Sequence, residues 1–400
     1  MRVLIDYRPA LRERSGSGEY THQLAKALLA AFPPGAPARA LELTLFSSSW
    51  KDRFALPPDL AGAAVVDRRI PVSVLNFAWH RLGWPAAETI ARGGYDVVHS
   101  PHPLLMPARR AAQVITIHDL DFLSNPERTR AEIRRDYPAL TREHAHRAAA
   151  VLVPSAYTAG EVERRLGVPR DRMTICPPGA PDWTPRAAAP KDGYVLFFST
   201  LEPRKNVGGL LDAYEQLLES GSAEAGTRGR GVGAFEGARA SQPSVPELVL
   251  AGRATEDARP WLDRIARPPL HGHVRHLGYV DPGQRRALYE GARLLVQPSF
   301  DEGFGLPVLE AMTLGVPVVA ADRGSLPEVL GGAGVLADPD RPADIARAIA
   351  QVLHDDGVAA RCRDAGISRA RAFRWDETAH RVYDTYRNAI ERRARAPRRG

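Results

Sequence analysis

Short apolar stretches alternate along the chain with longer segments in which apolar residues recur every three or four positions. Residues 3–5, 41–46, 97–99, 114–117, 151–153 and 173–176 read as strands of a first series. Each is a brief hydrophobic run bounded by turn-forming or polar residues. Between them lie helical periods such as 19–31, where Tyr20, Leu24, Ala27, Leu28 and Ala31 share one face. A second series starts at 194–198 and continues through 248–250, 274–277, 294–297 and 317–320. Strands that alternate with helices predict βαβ units and parallel sheets. Both series open with a strand, a loop and a helix, an architectural echo without a detectable sequence repeat.

Residues 179–192 hold Pro181, Pro185 and Pro190 and read as a linker. The expected domains are therefore 1–185 and 186–375, followed by 376–400 as a helix after Phe373-Arg374-Trp375 and a basic tail. A length of 400 residues suits two domains of about 150–200 each. The stretch 220–244 is rich in Gly, Ala, Ser and Arg without periodicity, so a flexible insertion is expected over 220–246.

With 44% apolar and 25% charged residues, both halves have enough apolar chain for a core. Cys176 and Cys362 have no C-x-x-C partner, which excludes a disulfide framework and favours a reducing, cytoplasmic setting. No run approaches the ~18 apolar residues of a membrane span, and the start Met1–Asp6 reads as a strand rather than a signal segment. The net charge of +7 draws anions. The arginines over 391–399 read either as a solvated terminus or as a contact with the anionic inner face of a membrane.

Three loops carry candidate chemistry. Gly16 and Gly18, in Ser15-Gly-Ser-Gly-Glu-Tyr20, follow the first strand and open a helix. Glycine lets backbone approach a ligand, and free N–H groups at a helix start suit a phosphate. Thr21 stands where a dinucleotide fingerprint would need its third glycine, and a plain turn explains the segment as well. Arg204 and Lys205, in Leu201-Glu-Pro-Arg-Lys-Asn206, sit next to a helix that Asn206 can cap. Cations are unfavourable beside a helix N-terminus unless an anion joins them. The third loop runs Ser299-Phe-Asp-Glu-Gly-Phe-Gly-Leu-Pro307 into a helix. Gly303 and Gly305 form a flexible approach whose N–H groups point toward that helix start, and Glu302 and Glu310 flank it. Carboxylates suit sugar hydroxyls because each oxygen accepts charge-assisted hydrogen bonds.

The E-x7-E pair Glu302/Glu310 within Asp-Glu-Gly-Phe-Gly-Leu-Pro-Val-Leu-Glu resembles the retaining GT-B glycosyltransferases of family 4. Leu277-Gly-Tyr-Val280, Gly315-Val-Pro-Val-Val-Ala320, Val153-Pro-Ser155, Pro177-Pro-Gly179 and Leu326-Pro-Glu-Val329 match the same family. The resemblance implies an α/β fold of two Rossmann-like domains facing a cleft, with the C-terminal helix crossing back to the first. It implies an acceptor-binding first domain and a nucleotide-sugar-binding second domain. Gly18, Arg204, Lys205 and the backbone of 304–306 would meet the donor diphosphate. Glu310 would hold the ribose, Glu302 the sugar, and His118 would face the sugar from the first domain. Ser199 departs from the glycine common at its position. The expected reaction is retaining transfer of a hexose to a glycan or lipid-linked saccharide, with neither metal nor cofactor. GDP-mannose is the first donor expected and a UDP-sugar the alternative.

Rival readings stay open at this point. Asp119-Leu-Asp121 spells the D-x-D of metal-dependent transferases, and His271-Gly-His-Val-Arg-His276 could hold a metal. A sugar phosphorylase of similar build would need phosphate or pyridoxal phosphate, and no lysine motif supports the latter. A non-catalytic nucleotide-sugar or nucleic-acid binder would suit the charge, yet no aromatic-basic motif is present and no nucleic-acid partner is expected. Loops 7–14, 72–84 and 121–126 are candidates for the acceptor.

Overall fold

A computed structural model describes the chain apart from residues 12, 13, 15, 36–38, 125–130, 228–244 and 396–400, and describes no side chain within 124–136 or 221–227. The chain divides into two compact units, Met1–Gly179 with Phe373–Gly400, and Ala180–Ala372. Among the described residues each unit holds one sheet, and every strand pair in it is parallel.

The first unit contains β1 (Arg2–Asp6), β2 (Glu42–Ser48), β3 (Ala64–Arg68), β4 (Val97–Ser100), β5 (Ala112–Thr116), β6 (Ala150–Val153) and β7 (Met173–Ile175), in the order β3-β2-β1-β4-β5-β6-β7. The second contains β8 (Tyr194–Phe198), β9 (Leu248–Ala251), β10 (Val274–Gly278), β11 (Ala292–Gln297), β12 (Val318–Ala321) and β13 (Val335–Ala337), in the order β10-β9-β8-β11-β12-β13. In both, the chain builds outward on one side and then returns past its first strand. The order therefore reverses between β1 and β4 and between β8 and β11, where open α/β sheets leave a crevice at the strand C-termini.

Most residues of the central strands are buried, as Val/Ile/Leu-rich runs covered on both faces require. The sequence pattern missed β3 and β13. β3 is a half-exposed edge strand without a clean alternation, and β13 is three residues long.

Trp375–Arg395 is the final helix and belongs to the first unit. Its buried Ala379, Val382, Tyr383, Tyr386 and Ala389 fall on one face and join the core of Tyr20, Leu24 and Leu28. Tyr383 stacks on Phe32 with ring centroids 4.1 Å apart. The Tyr386 hydroxyl lies 2.7 Å from His99 Nδ1, and His99 Nε2 lies 2.8 Å from Thr116 Oγ1. Arg392 donates to the carbonyl of Asp171, and Arg393 to those of Arg109 and Arg110. These arginines of the basic cluster fasten the helix to its own unit; 396–400 lie outside the described residues.

The expected insertion begins differently. The helix Val207–Thr227 runs into it, so 220–227 are helical, and 228–244 lie outside the described residues.

Candidate active site

The second unit's reversal point is built by the loops after β8 and β11. Asn206 takes a left-handed conformation (φ 57°), its Oδ1 accepts from Gly209 N–H at 3.2 Å, and its amide donates to Pro339 O at 2.7 Å. It therefore ends the turn Pro203–Lys205 and caps the following helix at once. That turn carries Arg204 and Lys205. The Phe300 N–H donates to Arg204 O at 2.9 Å, which ties the two loops together.

Lys205 and Glu302 meet across this junction. Both are buried, with Nζ 2.6 Å from Oε1. The same Oε1 accepts from Gln297 Nε2 at 2.9 Å and Ser299 Oγ at 3.0 Å. Ser325 holds the Glu302 backbone carbonyl through its N–H (3.0 Å) and Oγ (2.8 Å). Burial pushes the Glu302 carboxyl pKa up, but Lys205, Arg204 and the hydrogen bonds outweigh it and hold the group below the ordinary range. Three donors thus converge on Oε1. Arg204 is partly exposed. Its Nε donates to Glu202 Oε1 at 2.6 Å, and its Nη1 approaches Asp301 O at 3.5 Å.

Gly305 (φ 98°) is the N-cap of the helix Leu306–Thr313, which has no side-chain cap. A Cβ there would meet Leu326 Cδ2 at 2.7 Å and push that side chain aside, while the left-handed turn itself favours glycine. Gly303 and Phe304 precede it on the same loop, and Phe304 is buried. Glu310 lies inside that helix, where its Oε2 accepts from Tyr289 Oη at 2.7 Å and its Oε1 is 3.6 Å from Arg285 Nη1. The structure thus gathers Lys205 with Glu302, and Glu310 with Arg285 and Tyr289.

Sequence reasoning did not find Gln297, Ser299, Arg285 or Tyr289 as site residues. The first two had a signal, a polar pair closing a buried strand beside the motif. Arg285 and Tyr289 had none, because one helical turn on Pro282–Glu290 does not reveal what it faces.

The first unit's reversal point is separate. Gly16 (φ 46°) precedes the helix Ser17–Ala31, which also has no side-chain cap. A Cβ on Gly18 would come within 2.5 Å of Pro9 O, so this glycine is needed to let the Arg8–Ala10 turn pack. His118, after β5, donates from Nε2 to Pro101 O at 3.2 Å and lies edge-on to Tyr20. Burial pulls its pKa down to about 4 against the smaller effects of Asp119 and the Pro101 carbonyl, so the ring is neutral at pH 7. Asp6, at the end of β1, is buried and binds Arg8 through both oxygens and His102 Nε2 at 3.0 Å. His102 Nδ1 accepts from Leu104 N–H at 3.3 Å, so both ring nitrogens are engaged.

The Asp119 side chain accepts from Asp121 N–H, forming a turn into the helix Asp121–Ser124, and His276 Nε2 donates to Gly252 O at 2.8 Å. Among the described residues, no three His, Cys, Asp or Glu side chains converge to hold a metal. No helix among them is long and apolar enough to cross a membrane. Of the candidate acceptor loops, 12, 13, 125 and 126 lie outside the described residues.

Known proteins resemble this chain in sequence and fold. Residues 183–369 match the family described as glycosyl transferases group 1, and residues 14–182 match glycosyltransferase family 4. The O-antigen chain mannosyltransferase B of Escherichia coli is 31% identical over 97% of this chain and 100% of its own length. A D-inositol 3-phosphate glycosyltransferase of Acidothermus cellulolyticus is 28% identical over 98% of this chain and 90% of its own. Among solved structures, sucrose-phosphate synthase from Thermosynechococcus elongatus superposes with a TM-score of 0.74 at 20% identity, covering 96% of this chain and 98% of that one. With both halves matched and a relative aligned end to end, the chain belongs to the group 1, family 4 glycosyltransferases and has the GT-B fold.

Proposed function

We propose that this enzyme is a retaining hexosyltransferase, needing neither metal nor cofactor, that moves mannose from GDP-mannose to a glycan or lipid-linked saccharide. The observation that carries the reaction class is the buried Lys205–Glu302 pair at the β8/β11 reversal, with Arg204 beside it. The end-to-end likeness to a mannosyltransferase supports the choice of sugar. Gly16 and Gly18, the N–H groups around Gly303, Phe304, Gly305 and Leu306, and Arg204 with Lys205 receive the diphosphate. Glu302 accepts from sugar hydroxyls and Glu310 from the ribose, while His118 meets the sugar from the first unit.

In the reaction, the bond from the anomeric carbon to the diphosphate oxygen breaks and its electron pair leaves with the diphosphate. The acceptor oxygen bonds the same carbon on the same face, and its proton passes to the departing diphosphate. Charge grows on the diphosphate in the transition state. Fixed cations and helix-start N–H groups stabilise it there without reorganising, and each such donor contributes roughly 3–4 kcal/mol. A nucleotide-release panel of GDP-mannose, GDP-fucose, UDP-glucose and UDP-galactose tests the donor. Fastest release from GDP-mannose, undiminished by excess chelator, is expected; turnover of UDP-sugars alone overturns the donor, and loss in chelator overturns the metal-free mechanism. Arg204 and Lys205 replaced together by alanine test the site, and transfer at the parent rate would remove it.

A further inference from the structure

Residues 183–186 lead into β8 and are fastened to two helices of the second unit. The Arg186 N–H donates to Leu314 O at 3.1 Å, at the end of the helix Leu306–Thr313. Its Nη1 donates to Glu290 O at 3.1 Å and to Ala292 O, at the end of the helix Pro282–Glu290. Arg286, on that same helix, donates from Nη2 to Thr184 Oγ1 at 3.3 Å. With the segment held at these points, the Trp183 ring packs against Tyr289, with ring centroids 6.1 Å apart. Phe198, the last residue of β8, meets the Tyr289 ring edge-on with centroids 5.7 Å apart.

Tyr289 is fully buried, so its hydroxyl has to find a partner inside the protein. It donates to Glu310 Oε2 at 2.7 Å. Burial and the adjoining carboxylate push the phenol pKa well above its ordinary value, so the hydroxyl stays protonated and remains the donor. The last torsion of a glutamate side chain is soft and two-fold. A hydrogen bond to one oxygen therefore fixes the plane in which the carboxylate accepts. Arg285 adds attraction from Nη1, 3.6 Å from Glu310 Oε1, which is longer than a directed hydrogen bond.

We infer that Tyr289 is a positioning residue for Glu310 and that Trp183 backs it, so that the segment leading into β8 sets how well the carboxylate holds a ribose. The inference rests on the proposed ribose role of Glu310 and goes beyond it by naming what aims the carboxylate. The two hydroxyls of a ribose sit on adjacent carbons, and a carboxylate accepts from both only when its plane is aligned with them. Phe198 is a fixed wall for the Tyr289 ring, because β8 is paired on both sides, with β9 and β11. Trp183 stands outside the sheet, so its contact can be altered without disturbing the strands. A Tyr289 that only filled the core would need its ring and not its hydroxyl.

The test reads discrimination between nucleotides with and without ribose hydroxyls. Titration calorimetry on the full chain compares GDP and UDP, each against its dideoxy form lacking both ribose hydroxyls. The variants are Tyr289→Phe, Trp183→Ala, Trp183→Phe and Glu310→Gln. Tyr289→Phe keeps the ring and loses only the bond. It should shrink the parent's discrimination about tenfold, and in turnover the change should appear in the donor KM rather than in kcat. Trp183→Ala should shrink it about threefold, and Trp183→Phe should restore it. If Trp183→Ala does not fold, Trp183→Leu keeps the bulk and carries the same expectation. Parent discrimination in Tyr289→Phe, with discrimination lost in Glu310→Gln, would overturn the inference and leave the ribose role of Glu310 standing. Equal weakening toward both forms of the nucleotide would show Tyr289 to be packing alone and would also overturn it. Parent discrimination in Glu310→Gln would remove the ribose role itself, and the inference with it.

Discussion

The two sheets reverse their strand order at equivalent places, yet the reversal points are chemically unlike. At β8/β11 a lysine and a glutamate are buried against each other, and two adjacent loops supply nearly all the groups. At β1/β4 the buried ion pair is Asp6 with Arg8, and the site's His118 is kept neutral. The second unit has fixed charge in a short stretch of chain, which suits a ligand whose charge changes. The first unit gathers Arg8, Asn76, His102 and His118 from distant segments, and its Arg8, like Lys205, is paired with a buried carboxylate. The two halves thus differ in how locally the chain supplies their charged groups, while both pair their cation with a carboxylate.

The largest test of that contrast is Lys205→Ala. It leaves Glu302 buried without its cation, so transfer should fall by roughly 10²–10³-fold and the second unit should lose about 3–5 kcal/mol. Steady-state kinetics and hydrogen exchange of β8 and β11 measure the two effects, and parent values in both would break the comparison.

Acid should act on the other unit. His99 and His80 are held down to about 3, and His118 and His144 to about 4, chiefly by burial. Above pH 6.5 these rings are neutral in both folded and unfolded chains. As pH falls from 6.5 toward 4, the unfolded chain takes up protons that the folded chain refuses, so stability drops. His99 alone should cost roughly 2 kcal/mol at pH 5. Glu302, whose pKa is lowered, draws the second unit's stability down only below its ordinary value of 4.5. Hydrogen exchange at pH 5 against pH 7.5 should therefore show the first unit opening first; equal protection in both would contradict this.

A smaller effect is expected at the C-terminal helix. Tyr386→Phe removes the hydroxyl beside buried His99 Nδ1, costing about 1–3 kcal/mol, read as loss of protection in Trp375–Arg395. The smallest concerns Ser299→Ala, which takes one of three donors from Glu302 Oε1. A loss of about 1 kcal/mol, near fivefold in kcat/KM, is expected. No change would show that Lys205 and Gln297 alone position the carboxylate.

Most of the second unit's site was legible along the chain because it is local. Arg204 and Lys205 adjoin a capped helix, and Glu302 to Glu310 spans one loop and one helical turn, so spacing alone groups them. Gly305 was legible for the same reason, since φ 98° at a helix start admits little else. Gly18 was legible as a necessary glycine, but the close neighbour that explains it is Pro9, which the motif did not name.

By itself the sequence determined the alternation of strand and helix, a proline-bearing linker over 179–192 and the identity of the charged loops, because periodicity, capping and glycine geometry act over a few residues. Only the tertiary structure decided that Lys205 faces Glu302 across 97 positions, that Glu310 meets Arg285 and Tyr289, that His118 is neutral, and that Phe77 and Trp84 point outward while Trp79 points in. Each of these depends on which side of a helix or strand finds a neighbour. That is fixed by packing against distant chain, where burial and the need to pair buried charge select one arrangement among many that local propensity allows.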